Sequence, residues 1–181
     1  AAIAGLASDP QTLGEDAEVL RLAARLVEKV SAPARRLEPI ALAETVIKAT
    51  ELELDLRLEA AGCDEMGEVM ARDGYMTAPR VIWEGVGKRV LTLEWAQGAP
   101  LSDPATLELP GLDRRLLAEN LTRAFLSQAL DHGVFHADPH EGNLFVQAPG
   151  RITAVDFGII GRLGAPERRY LAEILWGFIR R

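Results

Sequence analysis

One segment limits the folds open to this 181-residue chain more than any other: His136-Ala137-Asp138-Pro139-His140-Glu141-Gly142-Asn143, followed thirteen residues after Asn143 by Asp156-Phe157-Gly158. Two β-rich runs, 143–147 and 151–155, lie between these polar groups, with Ala148-Pro149-Gly150 as the turn. Asn143 opens the first run and Asp156 closes the second, so an antiparallel turn brings both side chains to one end of a hairpin. Two neighbouring hard oxygen donors suit Mg²⁺, which takes few ligands from protein and completes its shell with water and phosphates. Six fixed residues at about one chance in twenty each amount to odds on the order of 10⁻⁸ per start position, too low for coincidence.

The spacing is H-x-D-x-x-x-x-N followed by D-F-G, an arrangement that serves phosphoryl transfer. There the loop acid, Asp138, orients or deprotonates the accepting hydroxyl, while Asn143 and Asp156 hold Mg²⁺ against nucleotide phosphates. The plainer alternative makes Asp138 and Asn143 turn formers and Asp156 a strand end. A zinc site on His136 and His140 is disfavoured, because four-residue spacing serves zinc on a helix and Pro139 interrupts one. His136 is expected to be a packed histidine that braces the loop.

Composition narrows the classes. Twenty basic against 27 acidic side chains, a net charge of -7, disfavour a nucleic-acid partner. The single Cys63 forms neither an internal disulfide nor a CxxC metal site, so a reducing compartment is the default. No apolar run reaches the roughly 18–20 residues of a membrane-crossing helix, and no secretory signal opens the chain. The start at Ala1 and the stop at Ile179-Arg180-Arg181 read as cuts within a longer protein.

Val19, Leu20, Leu22, Leu26, Val27 and Val30 recur at helical steps and form one apolar face, ended by Ser31-Ala32-Pro33. A second helical region is expected from about 39 to 70. Within it Leu52, Leu54, Leu56 and Leu58 alternate with charged residues at a strand period, yet good helix formers dominate and β-branched residues are missing. On a continuous helix Glu51, Asp55 and Glu59 share a face, and such a stripe asks for a cation unless it is simply solvated. Glu53 points about 120° away from Glu59 and about 160° away from Asp55 at roughly 100° per residue, so it reaches another part of the site or the helix bends. Runs 80–83 and 89–93 flank a hairpin turn, 97–111 reads as linker, and 113–132 returns to helix. A last helix begins near Pro166, and its Trp176 and Phe178 are expected to be buried rather than to face lipid. The fold class is α+β in two partial lobes, residues 1–96 and 97–181, joined by a hinge at 94–98.

At this point a resemblance emerges. Glu53-Leu54-Asp55 with Glu59-Ala60-Ala61 resembles the E-x-D…E-A-A signature of UbiB-type (ABC1-like) atypical kinases. The loop 136–143 is similar to their H-A-D-P-H-P-G-N, Asp156-Phe157-Gly158 to their metal motif, and 80–84 and 90–95 to the strands entering their hinge. The resemblance covers the chain from about Asp16 onward. It implies a protein-kinase-like two-lobe fold, ATP and Mg²⁺, and support of ubiquinone or related isoprenoid-lipid biosynthesis. It implies partners among quinone-pathway lipids or enzymes, at the cytoplasmic side of an inner membrane. Carried over, Asp138 is the catalytic-loop aspartate, Asn143 and Asp156 the metal ligands, and Glu94 and Ala96 nucleotide contacts at the hinge. Glu59 matches the helix glutamate that pairs with the nucleotide lysine, and Glu53 and Asp55 match the E-x-D pair that engages an N-terminal extension and positions nucleotide and metal.

The departures are specific. Glu141 stands where the family has proline, and the K-x-G-Q segment, alanine-rich loop and strand lysine have no counterpart. Val46-Ile47-Lys48 imitates a lysine strand but lies in the helical region, and these 181 residues alone are expected to be inactive. Two alternatives stand beside the kinase/ATPase: a small-molecule phosphotransferase of aminoglycoside or choline type, and a non-catalytic nucleotide-binding pseudokinase scaffold.

Overall fold

A computed structural model describes the backbone of residues 2–5, 10–30 and 33–180, and the side chains of residues 14–30, 33–50 and 54–180. In chain order the elements are β1 (Ala2–Gly5), α1 (Pro10–Val30), α2 (Pro39–Glu53), α3 (Leu56–Asp73), β2 (Val90–Leu93), β3 (Ala99–Pro100), α4 (Arg114–Leu126), β4 (Val134–His136), β5 (Leu144–Gln147), β6 (Arg151–Ala154), β7 (Ile160–Arg162) and α5 (Ala165–Ile179). The strands form three small antiparallel sheets: β1-β2, β3-β5-β6 and β4-β7.

α1 packs on α2 through small residues. Ala24 and Ala43 are buried there with Ile47, and Arg21 grips Glu44 through two hydrogen bonds of 2.8 and 3.1 Å. The apolar stripe read from the sequence looks outward: Val19, Leu22 and Val30 are 66%, 67% and 78% exposed. Alanine contacts win because they let the two backbones approach.

The region expected as one helix is two. Asp55 leaves helical geometry (φ -95°, ψ 89°) and caps α3 by accepting the Arg57 N–H, while the Leu56 N–H donates to Lys88 O at 3.0 Å. A donor that a continuous helix would use internally is satisfied by the turn before β2, so the break costs no buried hydrogen bond. α3 ends at Gly74, whose φ of 73° returns its N–H to Met70 O.

The segment after α3 ties two sheets together. Thr77 exchanges backbone hydrogen bonds with Ile152 and Ala154 of β6, and Val81 bridges to Leu93 of β2. The strand expected at 80–83 is only that bridge, since Trp83–Gly85 turns into a 3-10 helix closed by Thr92 Oγ1 donating to Gly85 O. The expected linker at 97–111 is ordered: β3 pairs with β5, and a 3-10 turn at Pro104–Glu108 buries Thr106, whose hydroxyl donates to Pro100 O at 2.6 Å. Asp113 caps α4 by accepting the Arg115 and Leu116 N–H groups. The helix continues as a π-helix, Ser127–His132, and stops at Gly133 with φ 70°. Trp176 and Phe178 on α5 are 56% and 71% exposed, against the expectation of burial.

One core joins these parts. Ala60, Cys63, Met66 and Met70 from α3 meet Leu91, Leu117, Leu144, Val146, Ile152, Ala154 and Phe157. Each large apolar side chain there contributes roughly 1.5–3 kcal/mol over its exposed state.

Gly98 is where this core tolerates least. Its φ is 118° and an added Cβ would lie 2.6 Å from Val146 O, on the backbone of a fully buried strand residue. Gly98→Ala should cost about 2–3 kcal/mol in urea unfolding with unchanged slope, whereas Gly87→Ala, with open space around it, should stay within about 0.5 kcal/mol.

Candidate functional site

The site grows from a histidine whose surroundings fix its tautomer. His136 is 3% exposed; Nε2 lies 3.2 Å from Val155 O and Nδ1 3.2 Å from the Asp138 N. A carbonyl only accepts and an amide N–H only donates, so Nε2 carries the hydrogen and the ring is neutral. The ring also packs on Phe157 with centroids 5.1 Å apart, and the His136 N–H donates to Gln128 Oε1. His136 thus clamps the loop to the D-F-G segment, the bracing role read from the sequence.

That clamp sets the polar groups beyond it. Asn143 is buried and its Nδ2 donates to Asp138 O at 3.3 Å; among the described residues Oδ1, a hard acceptor, has no donor. Val155 N donates to Asn143 O at 2.9 Å, so Asn143 and the start of the D-F-G segment sit side by side at one end of the β5-β6 hairpin. Asp156 follows with φ 62°, a left-handed conformation unusual for a residue with a Cβ. Its Oδ1 accepts the Gly158 N–H at 3.4 Å, while Phe157 beside it is buried and Asp156 itself is exposed. Asp138 is also exposed, and His140 Nε2 lies 3.8 Å from its Oδ2. Glu141 is exposed at the head of the 3-10 turn Glu141–Asn143.

α3 lies directly on this segment. A Cβ on Gly62 would come within 2.8 Å of Phe157 O and 2.7 Å of Ile160 Cδ1. One turn further, Glu65 takes both guanidinium nitrogens of Arg162 on β7, at 2.8 and 2.6 Å. Glu59, one turn before Gly62, is brought toward Asp156. Burial holds its carboxyl above the ordinary range, and the Asp156 charge raises it further. Burial likewise pushes the Cys63 thiol up to about 12, and its Sγ–H donates to Pro79 O. Cys63 is a packed residue.

Asp55 does not join this pair. Arg57 donates to both of its oxygens, at 2.8 and 2.6 Å, and holds its carboxyl down to about 2. The stripe expected from a continuous helix is therefore split at the cap. The side chains of Glu51 and Glu53 lie outside the described residues; Glu53 is the last residue of α2. Lys48 is exposed on α2, and its charge acts on Glu44.

In the segment expected as a hinge, Arg80 donates twice to Glu94 Oε1, at 3.0 and 2.8 Å. Among the described residues the Glu94 carbonyl and the Ala96 N–H have no protein partner, leaving an acceptor and a donor two residues apart in the segment between β2 and β3. Sequence reasoning missed Gly62 and the Glu65–Arg162 pair. A glycine inside a helical run, which costs about 1 kcal/mol against alanine, was the available signal for a close backbone approach.

An α+β chain whose capped helix rests on a D-F-G segment beside an H-x-D-x-x-x-x-N loop has the architecture of a kinase-like domain. The chain belongs to the ABC1 atypical kinase-like domain family, whose model matches residues 10–181. Among its curated relatives, the "Probable protein kinase UbiB" of Pseudomonas putida (strain W619) is 36% identical over 173 residues, which are 93% of this chain and 32% of the relative. The protein of that name from Marinobacter nauticus is 33% identical over 175 residues, 94% of this chain and 32% of the relative. The chain thus spans about a third of the length of these relatives. A solved structure, the Rv3197–erythromycin complex from Mycobacterium tuberculosis, matches with a TM-score of 0.64 at 22% identity, covering 84% of this chain and 37% of that one. The shared fold is kinase-like.

Two outcomes follow from the packing of α3. Gly62→Ala should destabilise by about 1–3 kcal/mol, because a methyl group meets backbone on one side and a side chain on the other. Glu59 binds its proton more tightly folded than unfolded, so its contribution to stability falls as pH rises through its raised folded pKa. Glu59→Gln should therefore melt higher than wild type at pH 7, by on the order of 1–2 °C, with the advantage vanishing near pH 4. Melting curves at both pH values check the sign.

Proposed function

We propose that this chain forms the metal- and phosphate-holding part of an ATP- and Mg²⁺-dependent kinase or ATPase of the UbiB type. The observation that supports the reading most is the position of Glu59, whose carboxyl is held above its ordinary range first by burial and then by the charge of Asp156, the residue that follows the strand beside Asn143. Like charges held together by packing call for a cation.

The donor set fits Mg²⁺. Asn143 Oδ1 and the Asp156 carboxylate are hard oxygens, and among the described residues no three His, Cys, Asp or Glu side chains form a self-sufficient cage. Such a site suits an ion that takes the rest of its shell from phosphates and water. When bound, the ion would neutralise phosphate charge. Asp138 would accept or orient the proton of the attacking hydroxyl, held in place by its own N–H on His136. The Glu94 carbonyl and Ala96 N–H would take the edge of the adenine. Glu53 and Asp55 would act at the rim, Asp55 through its cap on α3.

A second reading has its own support. Among the described residues Glu59 has no lysine or arginine partner, which would suit a nucleotide-holding scaffold without turnover. In either form the whole protein would serve isoprenoid quinone biosynthesis, with lipids or biosynthetic enzymes as partners and a position on the cytoplasmic side of the inner membrane. Among the described residues no helix is long and apolar enough to cross a membrane, so contact would be peripheral or through segments outside this chain.

Paired substitutions separate the roles. In a longer chain, Asp156→Asn should abolish the Mg²⁺-dependent rise in melting temperature caused by ATP. Asp138→Asn should keep that rise and lower turnover by about 10²-fold or more. An unchanged shift in Asp156→Asn removes the metal role, and lost binding in Asp138→Asn removes the catalytic one. Wild-type binding without turnover decides for the scaffold.

A further inference from the structure

A cavity of about 390 Å³ borders the H-x-D loop and the histidine that braces it. Its walls come from α4 (Leu121, Phe125), α5 (Leu175), the loop (His136, Pro139) and Leu144. This volume lies in the range of small-molecule sites, and the lining is almost wholly apolar. Among the described residues no charged side chain lines it, so it suits a neutral occupant.

Its polar feature is Gln128, which is 3% exposed and lines the cavity from the π-helix Ser127–His132. Gln128 Oε1 accepts the His136 N–H, and this turns the NH₂ group the other way. Among the described residues that NH₂ has no partner. It is also not among the fully enclosed unpaired atoms, which are Asp73 Oδ2 and Arg168 Nε, so its remaining accessibility is toward the cavity. An unpaired amide this deep loses free energy unless something accepts from it. The π-helix explains its placement, since one irregular turn re-aims a side chain that a regular helix would hold elsewhere.

The other polar groups in the wall are spent. His136 uses Nε2–H on Val155 O and Nδ1 on the Asp138 N–H, and the exposed Thr122 donates its hydroxyl hydrogen to Ala118 O. The deep wall therefore offers donors without a matching acceptor. We propose that this cavity binds a small, neutral, largely apolar molecule that presents one carbonyl-type oxygen to the Gln128 amide. Such a ligand touches the histidine that positions Asp138 and is separate from the phosphate side of the loop. The proposal does not depend on the kinase reading.

Acetophenone and α-methylstyrene test it, because they share a shape and differ by a carbonyl oxygen against a CH₂ group. In chemical-shift titrations of the protein, acetophenone should move the Gln128 side-chain NH₂ and His136 ring signals. It should bind about fivefold tighter than α-methylstyrene, the worth of one net hydrogen bond. Gln128→Glu keeps an acceptor for the His136 N–H and removes the NH₂, so the preference should disappear. Leu175→Trp fills the cavity from α5 and should abolish binding of both probes at an unchanged melting temperature. It decides the matter even where Gln128→Glu fails to fold. No shift at Gln128 or His136 at saturating probe, or undiminished binding in Leu175→Trp, overturns the site. Equal affinity for the two probes overturns the ligand class.

Discussion

The close seat of α3 on the backbone of Phe157 is the contact on which the rest of this structure depends. Gly62 permits it, the Glu65–Arg162 pair guides it from the exposed side, and the buried Phe157 fills the space beneath. The exposed ion pair contributes little free energy by itself, on the order of 0–1 kcal/mol. The apolar seat carries the stability, and the pair fixes its register. With α3 so placed, Glu59 is held partly buried on the side of Asp156, and burial first, then the Asp156 charge, keeps its carboxyl above the ordinary range.

The same economy operates on the loop. His136 spends both ring nitrogens on backbone groups, so a neutral imidazole works as a rigid strut between Asp138 and Val155. The left-handed backbone at Asp156 is held by β6 before it and Phe157 after it, which over-determine a conformation a free chain would avoid.

The loop, the D-F-G segment and the β5-β6 hairpin were legible because their turn residues, strand propensities and polar spacing agree with one another. The break at Asp55 was foreseen only as a possible bend: helix propensity ran straight through it, and the deciding hydrogen bond from Leu56 N to Lys88 O spans 32 residues. β4 and β7 escaped notice because Val134-Phe135-His136 and Ile160-Gly161-Arg162 are three-residue strands, too short for any period to show. Gly161 fits there only because the Phe135 ring occupies the place of its side chain. The outward apolar face of α1 misled in the opposite way, since periodicity reports an apolar stripe and not which stripe is used.

The central claim is that the packing of α3 on the D-F-G segment builds one cation-and-phosphate site from Asn143, Asp156 and Glu59. Mn²⁺ in place of Mg²⁺ tests it most directly, because a bound paramagnetic ion broadens the NMR signals of nearby nuclei. With ATP present, Mn²⁺ should broaden the Asn143 side-chain amide and the Asp156 and Gly158 backbone signals first, and leave those of Lys48 and Arg25 sharp. Broadening that begins on α1 or α2, or that spares Asn143 and Asp156 while ATP is bound, would contradict the account.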